Sequence, residues 1–215
     1  MPLSRENQFS GKPVFRKSEN RDRRRPAATL VIMVKEPRPG RVKTRLAADI
    51  GPLPAALWMR RRLARLVQDL SAPHWTTCLA VAPDRALHSG LLPAAPRMPQ
   101  GTGDLGHRMA RALKAAPRGP VLVIGADIPG ITRAHVRDAF RQIARHGAVI
   151  GPARDGGYWA VGLDTRRPVP RDLFHGTRWS TEHALADTLA TLPAPVLLPV
   201  LDDVDTAADL ARLSD

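Results

Sequence analysis

The sequence predicts an α/β domain built on a mixed, mostly parallel sheet with helices on both faces, and three observations lead to this fold class. Short continuous apolar segments alternate with segments whose apolar residues recur every three or four positions, as in strands and amphipathic helices. One connection, RDGG at 154–157, is too short for a helical crossover, so it joins strands that are antiparallel or bent apart. The length of 215 residues and the 43% hydrophobic content suit one substantial core rather than two full domains.

Each element follows from its local pattern. Strands are predicted where apolar residues run continuously between turn residues, at 29–34, 75–82, 121–125, 148–151, 158–163 and 196–201. Helices are predicted where the apolar spacing is three or four. The first begins near Val42, another has the buried stripe Leu63, Leu66, Val67 and Leu70, and further helices are expected at 84–92, 104–115, 132–145, 181–192 and 206–213. The inward residues of the 104–115 helix are expected to be Leu105, Met109, Ala112 and Leu113.

A cationic loop joins the first strand to the first helix. It carries four basic residues, Lys35, Arg38, Arg41 and Lys43, and Arg45 follows inside the helix. Helix N-termini present N–H groups and a positive dipole end, and Gly40 allows the backbone to approach a ligand, so the loop predicts a phosphate site. It matches neither the P-loop pattern nor the Rossmann glycine pattern. A solvated basic turn is the alternative interpretation.

Carboxylates follow several later strands, at the sheet edge where ligands gather in α/β proteins. Asp127 follows the strand 121–125, and a carboxylate there can hold Mg²⁺ or Mn²⁺ together with substrate phosphates, or cap the next helix. Asp155 lies in a glycine-rich turn and could bind metal or a substrate hydroxyl, although DGG is also common in hairpins. Asp202 or Asp203, after the last strand, could be a second acidic ligand, and the loop 100–104 could read a base or ribose.

The net charge of +13 suggests nucleic acid as a partner, but its distribution argues against it. Residues 1–28 contain eight basic and three acidic side chains with little apolar content, so we expect a disordered basic tail before a domain at 29–215. The basic cluster Arg60, Arg61, Arg62 and Arg65 lies opposite the buried stripe of its helix and is expected to be a solvated face. Four Trp, four Phe and one Tyr offer little stacking surface for single strands.

Membrane insertion and secretion are not expected. No apolar run approaches the roughly 20 residues needed to cross a bilayer, and the first ten residues lack the apolar core of a signal peptide, so a cytoplasmic protein is expected. The single cysteine, Cys78, lies in an apolar run and cannot form an internal disulfide. It is expected to fill the core.

Six stretches in this order resemble a known family: KEPRPGRVKTRL, GTGDLGHRM, GADIPG, GPARDGGYWAVGL, the WST step at 179–181 and DDVDTAADL. They are similar to the glycosyltransferase-like proteins associated with radical-SAM, selenium and arsenosugar proteins, and the similarity covers about 29–213. This resemblance implies the GT-A fold of the nucleotide-diphospho-sugar transferases. His107, where an acidic residue is expected, and the long basic tail depart from the pattern.

The residues and the resemblance together predict a site. Its catalytic residues would be Asp127, Asp155 and Lys43, and Mg²⁺ or Mn²⁺ would bind at Asp127 and Asp203. The nucleotide would contact Lys35, Pro39, Gly40, Lys43, Arg45, Gln100 and Asp104. The other substrate would contact Gly156, Gly157, Tyr158, Trp179, Ser180 and Thr181.

Three functions remain open. A glycosyltransferase would transfer a sugar from a nucleotide-diphospho-sugar to a small-molecule acceptor, with the metal stabilising the leaving nucleoside diphosphate. A nucleotidyltransferase would join a nucleoside triphosphate to a phosphorylated small molecule and release pyrophosphate. A non-catalytic nucleotide-sugar binder is the third. The cationic loop favours the second function and the resemblance favours the first, although the Asp127-Ile128-Pro129 step lacks the second Asp of an Asp-x-Asp pair.

Overall fold

Seven strands form one sheet in the computed structural model, which describes residues 28–201. They are β1 (Ala28–Lys35), β2 (Trp75–Ala82), β3 (Arg97–Pro99), β4 (Pro120–Gly125), β5 (Ala148–Pro152), β6 (Tyr158–Asp164) and β7 (Val196–Leu197). Their spatial order is β3-β2-β1-β4-β6-β5-β7. Residues 1–27 of the predicted disordered tail, the predicted helix at 206–213 and Asp203 lie outside the described residues, whereas Ala28, expected in the tail, begins β1.

The sheet is mixed, as predicted. β1 is parallel to β2 and β4, and β3 is parallel to β2. β6 is antiparallel to both β4 and β5, while β7 is parallel to β5. The carboxyl ends of β1, β2 and β4 therefore lie at the same edge as the start of β6. This edge is where ligands are expected in an open α/β sheet.

Five helices cover the two faces within residues 28–201: α1 (Thr44–Ile50), α2 (Pro52–Leu70), α3 (Leu105–Ala115), α4 (Arg133–His146) and α5 (Ala184–Leu189). Alternate residues of β1 point to opposite faces, so Leu30 and Val31 belong to two different apolar clusters. The cluster of Leu30 includes α2 and α4, and the cluster of Val31 includes α3 and the buried Cys78. No helix among residues 28–201 is long and apolar enough to cross a membrane.

The predicted helix at 84–92 is wrong. The structure has only a 3₁₀ turn at Asp84–Ala86, followed by an irregular loop. The guanidinium of Arg97 donates hydrogen bonds to four carbonyls of this segment, those of Leu87, Ser89, Leu92 and Pro93. These carbonyls are satisfied from outside the segment, so the loop does not require helical hydrogen bonds. Arg97 also begins β3, a three-residue strand that the sequence pattern does not reveal.

Two other elements are shorter than predicted. The helix expected at 181–192 is α5, which begins only at residue 184, because the Thr181 hydroxyl donates to the Arg178 carbonyl and accepts from the amide of His183. The strand expected at 196–201 is limited to β7, since Pro199 lies in the remainder and cannot donate to a ladder. Leu105, expected to face inward, is 45% exposed at the start of α3.

Candidate active site

Two adjoining cavities open at the edge where β1 and β4 end and β6 begins. We call the first, of about 490 Å³, the cationic cavity, because its lining includes Lys35, Arg41, Lys43 and Arg45. The second, of about 510 Å³, is the aromatic cavity, and its lining includes Tyr158, Trp159 and Trp179. The two share Met33, Arg45, Leu105, Gly125 and Asp127. The fold thus brings distant stretches of the chain to one place.

Lys43 connects the loop after β1 to the loop after β4. Its backbone is left-handed, with φ 47° and ψ 51°, and immediately precedes α1. The side chain does not cap the helix but extends across the edge, where Nζ lies 2.6 Å from Oδ2 of Asp127. The Lys43 side chain is only 8% exposed, whereas that of Asp127 is 31% exposed. The carboxylate therefore meets a mostly buried ammonium on one side and the cavities on the other.

The basic side chains of the loop after β1 differ in their surroundings. Arg38 pairs with Glu36 at 2.6 Å, and this contact holds the pKa of the Glu36 carboxyl below its usual value. Arg38 does not line the cationic cavity. Lys35 and Arg41 line that cavity and also a wider hollow of about 860 Å³ toward the end of β2. The cationic surface thus continues from Asp127 across the ends of β1 and β2.

Arg62 supports the loop that carries Asp127. It is half-buried on α2, whereas Arg60, Arg61 and Arg65 are exposed, so the expectation of a solvated face is wrong for this one residue. Its guanidinium donates a hydrogen bond to the carbonyl of Ile128. Burial lowers the pKa of Arg62, opposed by the nearby charges of Asp69 and Asp127. The Arg62 guanidinium thus joins the Asp127-Ile128 turn to α2.

The glycine-rich turn after β5 is docked against the segment before α5. Oδ1 of Asp155 accepts a hydrogen bond from the amide of Gly157 at 2.9 Å. Gly156 has φ +82°, and a Cβ there would lie 2.3 Å from the carbonyl oxygen of Glu182. The amide of Leu185 donates to the Gly156 carbonyl at 2.9 Å. Asp155, Gly157 and Glu182 line the aromatic cavity, while Gly156 serves the docking of the turn.

The segment 179–181 also lines the aromatic cavity. Arg178 and Asp187 hold it, because the carboxylate accepts from the Arg178 amide at 3.0 Å and from its Nε and terminal nitrogen at 2.9 Å each. These bonds lower the pKa of Asp187 to about 2. The Trp179 ring lies 6.4 Å from the Tyr158 ring and 6.0 Å from the Phe174 ring, measured between centroids. The predicted substrate residues Trp179, Ser180 and Thr181 all line the cavity.

Four predicted nucleotide residues lie elsewhere. Gln100 is buried, and its amide nitrogen donates to the carbonyls of Val34 and Ala80, so it joins strands rather than facing either cavity. Asp104 caps α3, since Oδ1 accepts from the amide of His107 at 2.9 Å and lies 2.7 Å from His107 Nδ1. The unexpected histidine therefore completes this cap.

The remaining two are Pro39 and Gly40. Pro39 lines a separate hollow of about 390 Å³ beside the exposed Leu53 and Leu57. Gly40 is exposed with φ +70°, and a Cβ there would have no neighbour within 4 Å. Neither residue lines the cationic or the aromatic cavity.

A divalent cation would have to share its ligands with a substrate. Within residues 28–201, no group of three or more His, Cys, Asp or Glu side chains could hold a metal ion. Mg²⁺ and Mn²⁺ are nevertheless commonly held by one or two carboxylates together with substrate phosphates. Asp127 fits that mode, because it borders a cationic cavity suited to phosphates and lines the aromatic cavity together with the carboxylate of Asp155.

The fold is the GT-A-like fold of the nucleotide-diphospho-sugar transferase superfamily. The chain belongs to the family DUF2064, described as an uncharacterized protein conserved in bacteria, whose model matches residues 63–181. Its structure is similar to that of a "putative nucleotide-diphospho-sugar transferase" from Desulfovibrio desulfuricans G20, with 30% identity, a TM-score of 0.79 and coverage of 87% of this chain and 86% of that chain. No curated protein matches the sequence.

Two more distant structures share the fold. One is a 4-diphosphocytidyl-2C-methyl-D-erythritol synthase from Anaerococcus prevotii, with 12% identity, a TM-score of 0.50 and coverage of 87% and 98% of the two chains. The other is a nucleotidyl transferase from Methanothermobacter, with 14% identity, a TM-score of 0.50 and coverage of 87% and 95%. At these identities the likeness concerns the fold alone.

Proposed function

We propose that the protein is a metal-dependent glycosyltransferase that moves a sugar from a nucleotide-diphospho-sugar to a small-molecule acceptor. The observation that carries this proposal is the junction at Asp127 of a cationic cavity with an aromatic one. A nucleotide-sugar donor has an anionic half and a neutral half, and such a junction accommodates both. The similarity to the Desulfovibrio protein supports the donor class.

The residues of the cationic cavity would bind the anionic half of the donor. Lys35, Arg41 and Arg45 would bind the diphosphate, and Lys43 would hold Asp127 in place while adding positive charge. A divalent ion bound at Asp127 would offset the charge that develops on the leaving nucleoside diphosphate. Asp203, which the sequence suggests as a further ligand, lies outside the described residues.

On the other side of Asp127, the aromatic cavity would hold the sugar and the acceptor. Asp155 would accept a hydrogen bond from the acceptor hydroxyl, since its carboxylate lines the cavity on a turn fixed by the Gly157 amide. Tyr158 and Trp179 would exclude water from the reacting atoms.

Nucleotidyl transfer is the second candidate, and the four basic side chains of the cationic cavity favour it. Lys35, Arg41, Lys43 and Arg45 supply enough charge for a third phosphate. In this reaction a phosphorylated substrate would attack the α-phosphate of a nucleoside triphosphate and release pyrophosphate.

A thermal-shift screen of nucleoside triphosphates, nucleoside diphosphates and nucleotide sugars with Mn²⁺ tests the proposal. A ligand at ~100 times its dissociation constant stabilises the protein by about 2.7 kcal/mol, a shift of several degrees for a domain of this size. We expect a nucleotide sugar or nucleoside diphosphate to give the largest shift. Lys43→Met should abolish it, whereas Lys114→Met, at an exposed position on α3, should not. Preference for one triphosphate, with pyrophosphate release, would establish the second candidate instead.

A further inference from the structure

The two cavities differ in charge as well as in shape. Among the described residues, the cationic cavity is lined by four basic side chains and one carboxylate, that of Asp127. Among the described residues that line the aromatic cavity, the charged ones are Asp127, Asp155, Glu182 and Arg45. Arg45 stands at the shared boundary, so the part of the aromatic cavity farther from the cationic one is acidic. An anion is therefore favoured on one side of Asp127 and disfavoured on the other.

The acidic wall is held in place by the backbone. Gly156 approaches the Glu182 carbonyl so closely that no Cβ would fit between them, and the Leu185 amide bonds to the Gly156 carbonyl. The Asp155 carboxylate is fixed in turn by the Gly157 amide. Two segments 27 positions apart in sequence thus carry Asp155 and Glu182 along one wall of the cavity.

The remaining walls are largely apolar. Leu105 is 45% exposed at the shared boundary, an unusual position for a large aliphatic side chain in the first turn of a helix that otherwise buries its apolar face. The Trp179 ring stands nearby, close-packed on Gly106. An exposed leucine and an indole at the mouth of a cavity suit the apolar face of a ligand.

We propose that the aromatic cavity selects an acceptor with a free hydroxyl, an apolar face and no anionic group, and that Glu182 is a determinant of this selectivity. The inference rests on the proposed glycosyl transfer. The acceptor oxygen forms a bond to the anomeric carbon while the bond from that carbon to the β-phosphate oxygen breaks. The hydroxyl proton passes to the Asp155 carboxylate, and the nucleoside diphosphate leaves with the bonding electrons. A phosphate on the acceptor would face Asp155 and Glu182 across the cavity.

Matched acceptors test this selectivity. Phenyl β-glucoside and its 6-phosphate share hydroxyls and an aromatic face and differ by one phosphate group. With Mn²⁺ and the nucleotide sugar identified by the thermal-shift screen, we expect the neutral compound to stimulate nucleoside diphosphate release at least about tenfold more than the phosphate. The ratio should fall as salt is added, because Glu182 is 82% exposed and its field is screened.

A charge reversal at Glu182 provides a second test of the selectivity. Glu182→Lys should move the ratio toward the phosphorylated compound by about tenfold. Asp172→Lys, an exposed reversal away from both cavities, should leave the ratio unaltered. A wild-type preference for the phosphate, or an unchanged ratio in Glu182→Lys, would overturn the inference.

Saturation-transfer NMR can measure the binding of phenyl β-glucoside and its 6-phosphate without a donor, so this test does not depend on catalysis. It separates the two proposals: failure of every nucleotide sugar to bind refutes glycosyl transfer, while the NMR comparison still decides the charge selectivity of the cavity. Equal binding of the two compounds, or binding of neither, refutes the selectivity.

Discussion

Nζ of Lys43 lies 2.6 Å from Oδ2 of Asp127 and joins two loops whose residues are 84 positions apart in sequence. Because the ammonium is nearly buried and the carboxylate is not, the lysine orients Asp127 before any ligand is present. A group held in advance loses less conformational freedom when it binds a ligand. The pair therefore links the geometry of the fold to the chemistry proposed for the site.

Asp127→Asn should keep the fold but weaken Mn²⁺-dependent nucleotide binding severely. The amide preserves the shape of the side chain, yet it replaces the carboxylate that accepts from the Lys43 ammonium with a neutral acceptor, so unfolding should cost about 1–3 kcal/mol less. Urea denaturation measures the stability, and titration calorimetry with and without Mn²⁺ measures the binding. An unchanged metal-dependent affinity would give Asp127 a purely structural role.

Arg62→Met should weaken the same metal-dependent affinity without touching the ligand. The substitution removes the donor to the Ile128 carbonyl and frees the turn that carries Asp127. We expect a stability loss of about 1–3 kcal/mol, against less than about 0.5 kcal/mol for the exposed neighbour Arg61→Met. Arg62→Lys should recover part of the affinity, because an ammonium can still donate. If metal-free and metal-dependent affinities fall equally in Arg62→Met, its role is confined to general packing.

The sheet could be predicted largely from local pattern, because its strands are continuous apolar runs. The strand at 75–82 is confirmed to the residue. The short RDGG connection was expected to join strands that are antiparallel or bent apart, and the two strands are antiparallel. The loop after β2 could not be predicted, since its carbonyls are satisfied by Arg97 from beyond the segment. Local periodicity carries no information about such a partner.

The site could be predicted in outline for a related reason. Parallel strands end at one edge, so residues that follow β1 and β4 must lie close together, and Lys43 and Asp127 do. The half-buried position of Arg62 was not predicted, because its charge suggested an exposed side chain. Its spacing indicated otherwise, since it lies three residues after Met59 and four before Leu66 on the buried side of α2. The position of Glu182 at the cavity was not predicted, because Glu182 fell inside the helix expected at 181–192, which begins only at Ala184.

Gly156→Ala should displace the turn that carries Asp155. A Cβ would meet the Glu182 carbonyl at 2.3 Å, and a left-handed backbone costs a non-glycine residue about 1–2 kcal/mol in addition. Gly40→Ala is the matched control, since its φ is also positive but no atom lies near the new Cβ. Urea denaturation should give a larger stability loss for Gly156→Ala, and donor hydrolysis should fall in that variant alone. Equal losses in the two variants would mean that backbone strain, rather than the docking, is what matters.

The contact between Arg178 and Asp187 should make the wall at 179–181 sensitive to acid. The folded-state pKa of Asp187 is about 2, below its ordinary value of 3.8, so the contact stabilises the fold fully above the unfolded value. The stabilisation is lost as the pH falls from about 4 through about 2, when the folded-state carboxyl takes up its proton. The difference in Tm between wild type and Asp187→Asn should therefore be constant from pH 7 to pH 5 and shrink below pH 4.

Comparison of the two proteins at each pH isolates this contact, because Glu36, Asp104 and Asp164 also have lowered pKa values and titrate in both. Asp172→Asn, at an exposed position near the same segment, should track the wild type throughout. Limited proteolysis at pH 7 adds a local measurement. Cleavage near 176–183 should be faster in Asp187→Asn, since a neutral amide with one acceptor oxygen binds the Arg178 amide and guanidinium more weakly than the carboxylate does. A Tm difference that does not change between pH 7 and pH 2.5 would show that the stability of this wall does not depend on the charge of Asp187.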